Sequence, residues 1–271
     1  METNAPLRIL SLGAGVQSSA LALMAAKGEI TPPDSCIFAD TGAEPKKVYE
    51  WLDWLEKQLP FPVHRVMHKD GLLAGLEDAL HGGRFASVPF YTESDRVGGG
   101  LMRRQCTREY KITPIRKKIR ELLGLAKGER AGKKVRVIQY IGISTDEASR
   151  MKPSQDRWIE NQWPLIEKNI SRLDCLEWMK KEGYPTPVKS ACTFCPYHDD
   201  TLWRDMKKND PESFAQAIEI DEKIRGGVRG TKQRLFLHSS LQPLAEVDLR
   251  NAEDAGQTSL FDNECEGMCG M

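Results

Sequence analysis

Apolar positions along the first half of the chain alternate between two periods. Leu7 to Leu12 is a short apolar-rich run ending in Gly13-Ala14-Gly15, and the stretch Gln17 to Lys27 behind it is helical in pattern. Ser35 to Ala39 reads as a second buried strand that stops at Asp40-Thr41-Gly42. Glu44 to Leu59 reads as a helix, with Val48, Trp51, Leu52 and Leu55 at i, i+3, i+4 and i+7. Pro62 to Met67 supplies a third strand. Val135 to Ile143 supplies a fourth, apolar nearly throughout as a strand buried on both faces is. This alternation predicts an α/β fold, a parallel twisted sheet with crossover helices on both faces.

The second half reads differently. Gly82 to Leu101, with Gly82-Gly83 and Gly98-Gly99-Gly100, has the composition of a mobile connection. Ser171 to Glu182 is a helix, opened by Ser171-Arg172-Leu173-Asp174 as a capping box and stopped before Gly183 and Pro185. His198 to Asn209 and Pro211 to Arg225 are two further helices with polar faces, and from Ala252 onward Gly and acids dominate. The expected organisation is an α/β core over residues 1–170, a helical C-terminal part over 171–240 and a flexible acidic tail over 241–271. No internal repeat is present.

Composition narrows the class. With 271 residues, 40% hydrophobic and 29% charged, the chain is outside the disordered, collagen-like and disulfide-knot classes. The longest apolar run, Ser19 to Ala26, is far short of the ~18 residues of a membrane span, so a cytoplasmic protein without a membrane partner is expected. Formal charge is zero, but eight basic residues between Arg103 and Arg120 face one acid, Glu109. Beyond Leu241 seven acids face only Arg250, a net of −6. Seven cysteines without a secretory signal point to reduced, metal-binding or reactive thiols.

The first turn carries candidate chemistry. A strand, a Gly-rich turn and a helix bring backbone N–H groups and the positive end of a helix dipole to one point, which suits phosphate, and Ser11, Ser18 and Ser19 add hydroxyls. As G-x-G-x-x-S with Asp40 downstream, the segment also imitates the fingerprint of a dinucleotide-dependent oxidoreductase. A purely structural turn is the third alternative.

Further along come Ala39-Asp40-Thr41-Gly42-Ala43-Glu44, Cys106-Thr-Arg-Glu-Tyr-Lys111-Ile-Thr-Pro114, Gly142-Ile-Ser-Thr-Asp146-Glu147-Ala-Ser-Arg150 and Trp163-Pro164-Leu165-Ile166. In this order, over roughly Arg8 to Tyr197, the chain resembles the phosphoadenosine phosphosulfate reductase family of PP-loop (N-type ATP pyrophosphatase) enzymes. Its phosphate loop S-G-G-x-D-S aligns with Gly13-Ala14-Gly15-Val16-Gln17-Ser18, so that Gln17 stands where the family has an acid. The resemblance implies binding of ATP or an adenylyl sulfate by Ser11, Gly13, Gly15, Ser18 and Ser19. Asp40, Thr41, Gly42 and Glu44 would then border the adenosine side, and Gly142, Asp146, Glu147 and Arg150 the far side. Asp40, Glu44 or Asp146 are the oxygen ligands left for Mg²⁺. It implies sulfonucleotide reduction with a thioredoxin-like partner, or ATP-dependent adenylation and thiolation of an acceptor such as a tRNA with a sulfur-donor protein. The amide at Gln17 keeps a catalytically silent nucleotide-sensing or partner-binding subunit open as an alternative.

Cys192-Thr-Phe-Cys195-Pro196 is C-x2-C-P, and with Cys106 it offers three thiolates to one metal centre. A 4Fe-4S cluster with three cysteine ligands, a zinc site completed by His198 and unligated thiols are the alternatives. Arg103, Arg104 and Arg108 flank Cys106, and Arg104 and Asp146 are candidate catalytic groups. Glu264-Cys265 partly matches the family's mobile catalytic tail, making Cys265 a candidate nucleophile docked reversibly over that basic rim. Cys36 and Cys175 read as buried small hydrophobes.

Overall fold

The computed structural model describes residues 5–93, 99–231 and 233–250. Strand β1 (Leu7–Leu12), helix α1 (Val16–Ala26), strand β2 (Ser35–Asp40), helix α2 (Lys46–Glu56) and strand β3 (Val63–Met67) alternate as the periodicity predicts. Helix α3 (Gly71–Leu80) and the short strands β4 (Tyr91–Thr92) and β5 (Gly100–Leu101) follow. A π-helical turn, Thr107–Ile112, runs into α4 (Thr113–Leu122), and then come β6 (Val137–Ile141), a 3-10 turn Thr145–Arg150 and β7 (Ile159–Gln162). Helices α5 (Pro164–Glu167), α6 (Arg172–Lys181), α7 (Asp200–Asn209) and α8 (Pro211–Ile224) precede the last strand, β8 (Leu235–Phe236).

The chain divides into two compact units. The first holds the chain up to Asp40, Lys46–Met67 and Ile112–Ser190; the second holds Thr41–Pro45, His68–Lys111 and the chain from Ala191. Helix α6 packs on α1 within the first unit.

In the first unit five strands pair in parallel in the order β3-β2-β1-β6-β7. Side chains alternate across each strand, and both faces are covered. Leu10, Leu12, Cys36, Phe38 and Tyr140 join the core with α1, α2 and α6, whereas Ile9, Ile37, Val137 and Ile159 pack with Ile119 of α4 on the other. The neighbours of β1 lie on opposite sides of it, so the strand order reverses there. In open parallel sheets ligands enter the crevice at the carboxyl ends of the strands beside such a reversal. The turn Gly13-Ala14-Gly15 leaves β1 at that end.

The second unit builds its core from Phe90, Phe194, Trp203, Phe214 and Leu235 around the antiparallel sheet β5-β4-β8. Inside it the buried Asp221 carboxylate accepts the N–H groups of Leu237 and Leu244 and pairs with Arg225. The glycine-rich stretch from Gly82 is therefore not the open connection expected of it over its described length. Val88 and Phe90 are buried, and Tyr91–Thr92 pairs with both Gly100–Leu101 and Leu235–Phe236. Glycine there serves close approach: a Cβ on Gly100 would lie 2.7 Å from Thr92 Oγ1.

Candidate functional site

In the first unit, the turn after β1 is shaped by its own side chains. Ser18 Oγ accepts the Gly13 N–H at 3.1 Å and donates to the Gly15 carbonyl at 3.3 Å. Ala14 takes φ 57, a left-handed conformation that a glycine would hold without strain. Gly15 caps α1 in an extended conformation with no side-chain cap, so the first N–H groups of α1 keep no side-chain partner from the cap residue. A Cβ on Gly15 would meet nothing within 4 Å. At Gly142, just past β6, an added Cβ would fall 2.8 Å from both the Cα and the N of Ser18, so the backbone of α1 rests directly on that glycine.

Gln17 organises what surrounds the turn. Its amide Nε2 donates to Glu147 Oε2 at 3.2 Å and to Ser144 Oγ at 3.4 Å, while its Oε1 accepts from Arg172 Nη1 at 3.1 Å. Glu147 also pairs with Arg150. Asp146 Oδ1 accepts the backbone N–H of Arg172 at 2.8 Å, and Ser171 and Asp174 close the capping box expected at the start of α6. The amide therefore sits where α1, the 3-10 turn and α6 all begin.

Two of the expected phosphate hydroxyls, and Asp40, have partners within the fold. Ser11 lies on the face of β1 that carries Ile9, opposite α1, and accepts from Gln139 Nε2 at 2.6 Å. Ser19 is buried and accepts from Trp51 Nε1 at 3.0 Å. Asp40, the last residue of β2, accepts from the Tyr49 hydroxyl at 2.7 Å.

In the second unit, Cys106, Cys192 and Cys195 line one cavity of about 40 Å³. Arg104, Lys111, Tyr197 and Thr41 complete its polar lining, and Leu72, Val88 and Phe194 are among its apolar walls. Arg104 donates to Thr107 Oγ1 at 2.5 Å and lies 5.4 Å from the centre of the Tyr197 ring, whereas Arg103 and Arg108 are exposed and off the cavity lining. Thr41 Oγ1 is 3.4 Å from Cys192 Sγ and 3.4 Å from Glu44 Oε1, and the buried Glu44 carboxylate faces Lys111 Nζ at 3.6 Å. Gly42, at φ 68, makes the turn that joins these residues. Burial pushes the Cys192 thiol up to about 12; the Glu44 charge pushes the same way, and Lys111 and the Thr41 hydroxyl pull against them.

The three thiols thus share a wall. Yet among the described residues no three His, Cys, Asp or Glu side chains are grouped to hold a metal ion. The three thiols line one cavity without closing into the implied cluster or zinc group. His198 packs edge-on against Trp203 rather than on the cavity wall. Cys265 and the acidic tail beyond residue 250 lie outside the described residues, whereas Leu244, Val247 and Leu249 at its start are buried in the second unit. Nothing in the sequence marks Tyr197 or Arg172 as site residues, whereas Lys111 carries a signal, one basic residue inside the Cys106 motif.

No family model and no curated protein matches the chain. Among solved structures it is similar to a phosphoadenylyl-sulfate (PAPS) reductase from Candida auris in its phosphate complex, at 14% sequence identity and a TM-score of 0.46. That similarity covers 69% of this chain and 82% of the other. No helix of the described residues is long and apolar enough to cross a membrane.

Proposed function

We propose that the chain is an adenine-nucleotide-binding enzyme of the PP-loop type, handling ATP or an adenylyl sulfate. One observation carries the reading: the glycine turn leaves β1 beside the reversal of strand order, with its Gly15 side open and its shape held by Ser18 and Gly142. The order of sequence motifs supports the same reading. Backbone N–H groups of the turn and of the first turn of α1 hold phosphate oxygens, with Gly13, Gly15 and Ser18 as the cradle and Gly142 and Glu147 as its support. Asp40, Thr41, Gly42 and Glu44 follow the second strand, where the resemblance puts the adenosine side.

The thiol cavity supplies the sulfur chemistry in this reading. Arg104 and Lys111 offer positive charge to an oxyanion or a thiolate, and a metal centre on Cys106, Cys192 and Cys195 remains part of the proposal only as a separate test by iron, sulfide and zinc analysis of anaerobically purified protein. No step here depends on it. The expected outcome is calorimetric binding of ATP or adenylyl sulfate by the full chain. Release of pyrophosphate then identifies adenylation and thiolation, and thioredoxin-dependent release of sulfite identifies reduction. Absence of binding to either nucleotide overturns the reading. A second reading, nucleotide binding without turnover, is favoured by one observation, the amide of Gln17 in place of a loop carboxylate.

A further inference from the structure

Gln17 stands between a carboxylate and a guanidinium, donating to Glu147 and accepting from Arg172. An amide does both at once, whereas a carboxylate only accepts. A carboxylate at position 17 would face Glu147 at about the 3.2 Å that now separates Nε2 from Oε2, and it would also draw Arg172 into an ion pair. The neutral side chain therefore leaves the Arg172 charge uncompensated at its contact, and among the described residues no carboxylate forms an ion pair with this guanidinium. Glu147, by contrast, is matched by Arg150. Arg172 is also fixed in place, as the first residue of α6 behind the Ser171 cap, with its backbone N–H held by Asp146.

We propose that Arg172 is a binding residue for the phosphate chain of the nucleotide, docked in the free protein on the Gln17 amide. Gln17 is the second residue of α1, so its side chain and the open N–H groups of that helix share one turn. An anion held by those N–H groups takes over the guanidinium from a neutral oxygen, exchanging a bond to an uncharged acceptor for ones to an ionised acceptor. The substitution of amide for acid at position 17 then has a purpose: it keeps a cation free for the ligand. This inference rests on the nucleotide reading above.

The test is calorimetry of the full chain with inorganic pyrophosphate, ATP and adenosine as separate probes, over a range of salt concentrations. Arg172→Gln should weaken pyrophosphate and ATP binding about tenfold or more, flatten the salt dependence and leave adenosine affinity unchanged. Arg172→Lys should recover part of the loss. Gln17→Glu, which removes no cation, should weaken both phosphate probes as well, because the new carboxylate competes for Arg172. If both Arg172→Gln and Gln17→Glu remain folded by circular dichroism and bind pyrophosphate within twofold of the unaltered protein, the inference is overturned and the nucleotide reading survives. If the unaltered protein binds neither ATP nor pyrophosphate, both fall.

Discussion

The Cα of Gly142 carries the first turn of α1: a methyl group added to it would lie 2.8 Å from both the Cα and the N of Ser18. The obstruction is backbone on both sides and cannot be relieved by a rotamer change. Gly142→Ala should therefore displace the start of α1, destabilising the first unit by about 1–3 kcal/mol as overpacking does, and weakening phosphate binding with it. Urea denaturation together with pyrophosphate calorimetry checks both effects. A variant as stable as the parent would show that the helix does not rest on this glycine.

Gly15 is the opposite case. Its φ of −91 suits any residue, and an added Cβ meets nothing within 4 Å. Gly15→Val should fold, losing about 1 kcal/mol at most through the poorer helix cap, while the isopropyl group blocks the approach of an anion to the turn. The expected result is a large loss of ATP or adenylyl-sulfate affinity in a protein with a near-normal denaturation midpoint. Unchanged affinity would remove the turn from the nucleotide site.

How far the sequence reaches depends on the range of the interaction. The strands β1, β2, β3 and β6, the helix over Val48 to Leu55 and the Ser171 capping box rest on neighbours within a few residues, and periodicity reads them directly. Helix α3 is hidden because Gly71 and Gly75 lower its propensity. Gly75 is there because the Tyr110 hydroxyl occupies the space its Cβ would take. Strand β7, Ile-Glu-Asn-Gln at the sheet edge, lacks an apolar signature. Cys106, Cys192 and Cys195 announce themselves by spacing, but their surroundings do not: the Thr41 contact with Cys192 spans 151 positions and the Gln17 contact with Arg172 spans 155. Ser11 and Ser19 read as phosphate hydroxyls beside a glycine turn, and nothing in the sequence marks the Gln139 and Trp51 partners they have in the fold.

Three buried thiols make the protein sensitive to alkali. Burial raises Cys36, Cys175 and Cys192 from a reference near 9 to about 12. In the unfolded chain these thiols ionise above pH 9, whereas in the folded chain they stay protonated until about 12. Their contribution to stability is thus whole below pH 9 and falls as pH rises from 9 to 12, by up to ~1.4 kcal/mol per pH unit for each thiol. Denaturation midpoints should be flat from pH 7 to 8.5 and decline above 9, and Cys36→Ala should shallow the decline. A midpoint independent of pH up to 10.5 would show that the thiols are not shielded as described.

The charges around Cys192 can be altered singly. Burial is the main reason its thiol is held protonated, the Glu44 carboxylate adds to it, and Lys111 opposes it. Glu44→Gln removes a negative charge from beside the sulfur and should move its ionisation to lower pH; Lys111→Met removes a positive charge and should move it higher. Alkylation with iodoacetamide, followed peptide by peptide in a mass spectrometer between pH 7 and 10, reads the thiolate at each site. In the unaltered protein Cys192, its thiol held protonated, should react slowly near neutral pH. Glu44→Gln should speed Cys192 several-fold at a fixed pH near 9, and Lys111→Met should slow it. Both variants leave the apolar wall of the cavity intact, so a general opening of the second unit would accelerate all three cysteines together. Equal acceleration at Cys106, Cys192 and Cys195 would therefore count as unfolding, and no change at Cys192 in either variant would mean that the Glu44–Lys111 pair does not govern its reactivity.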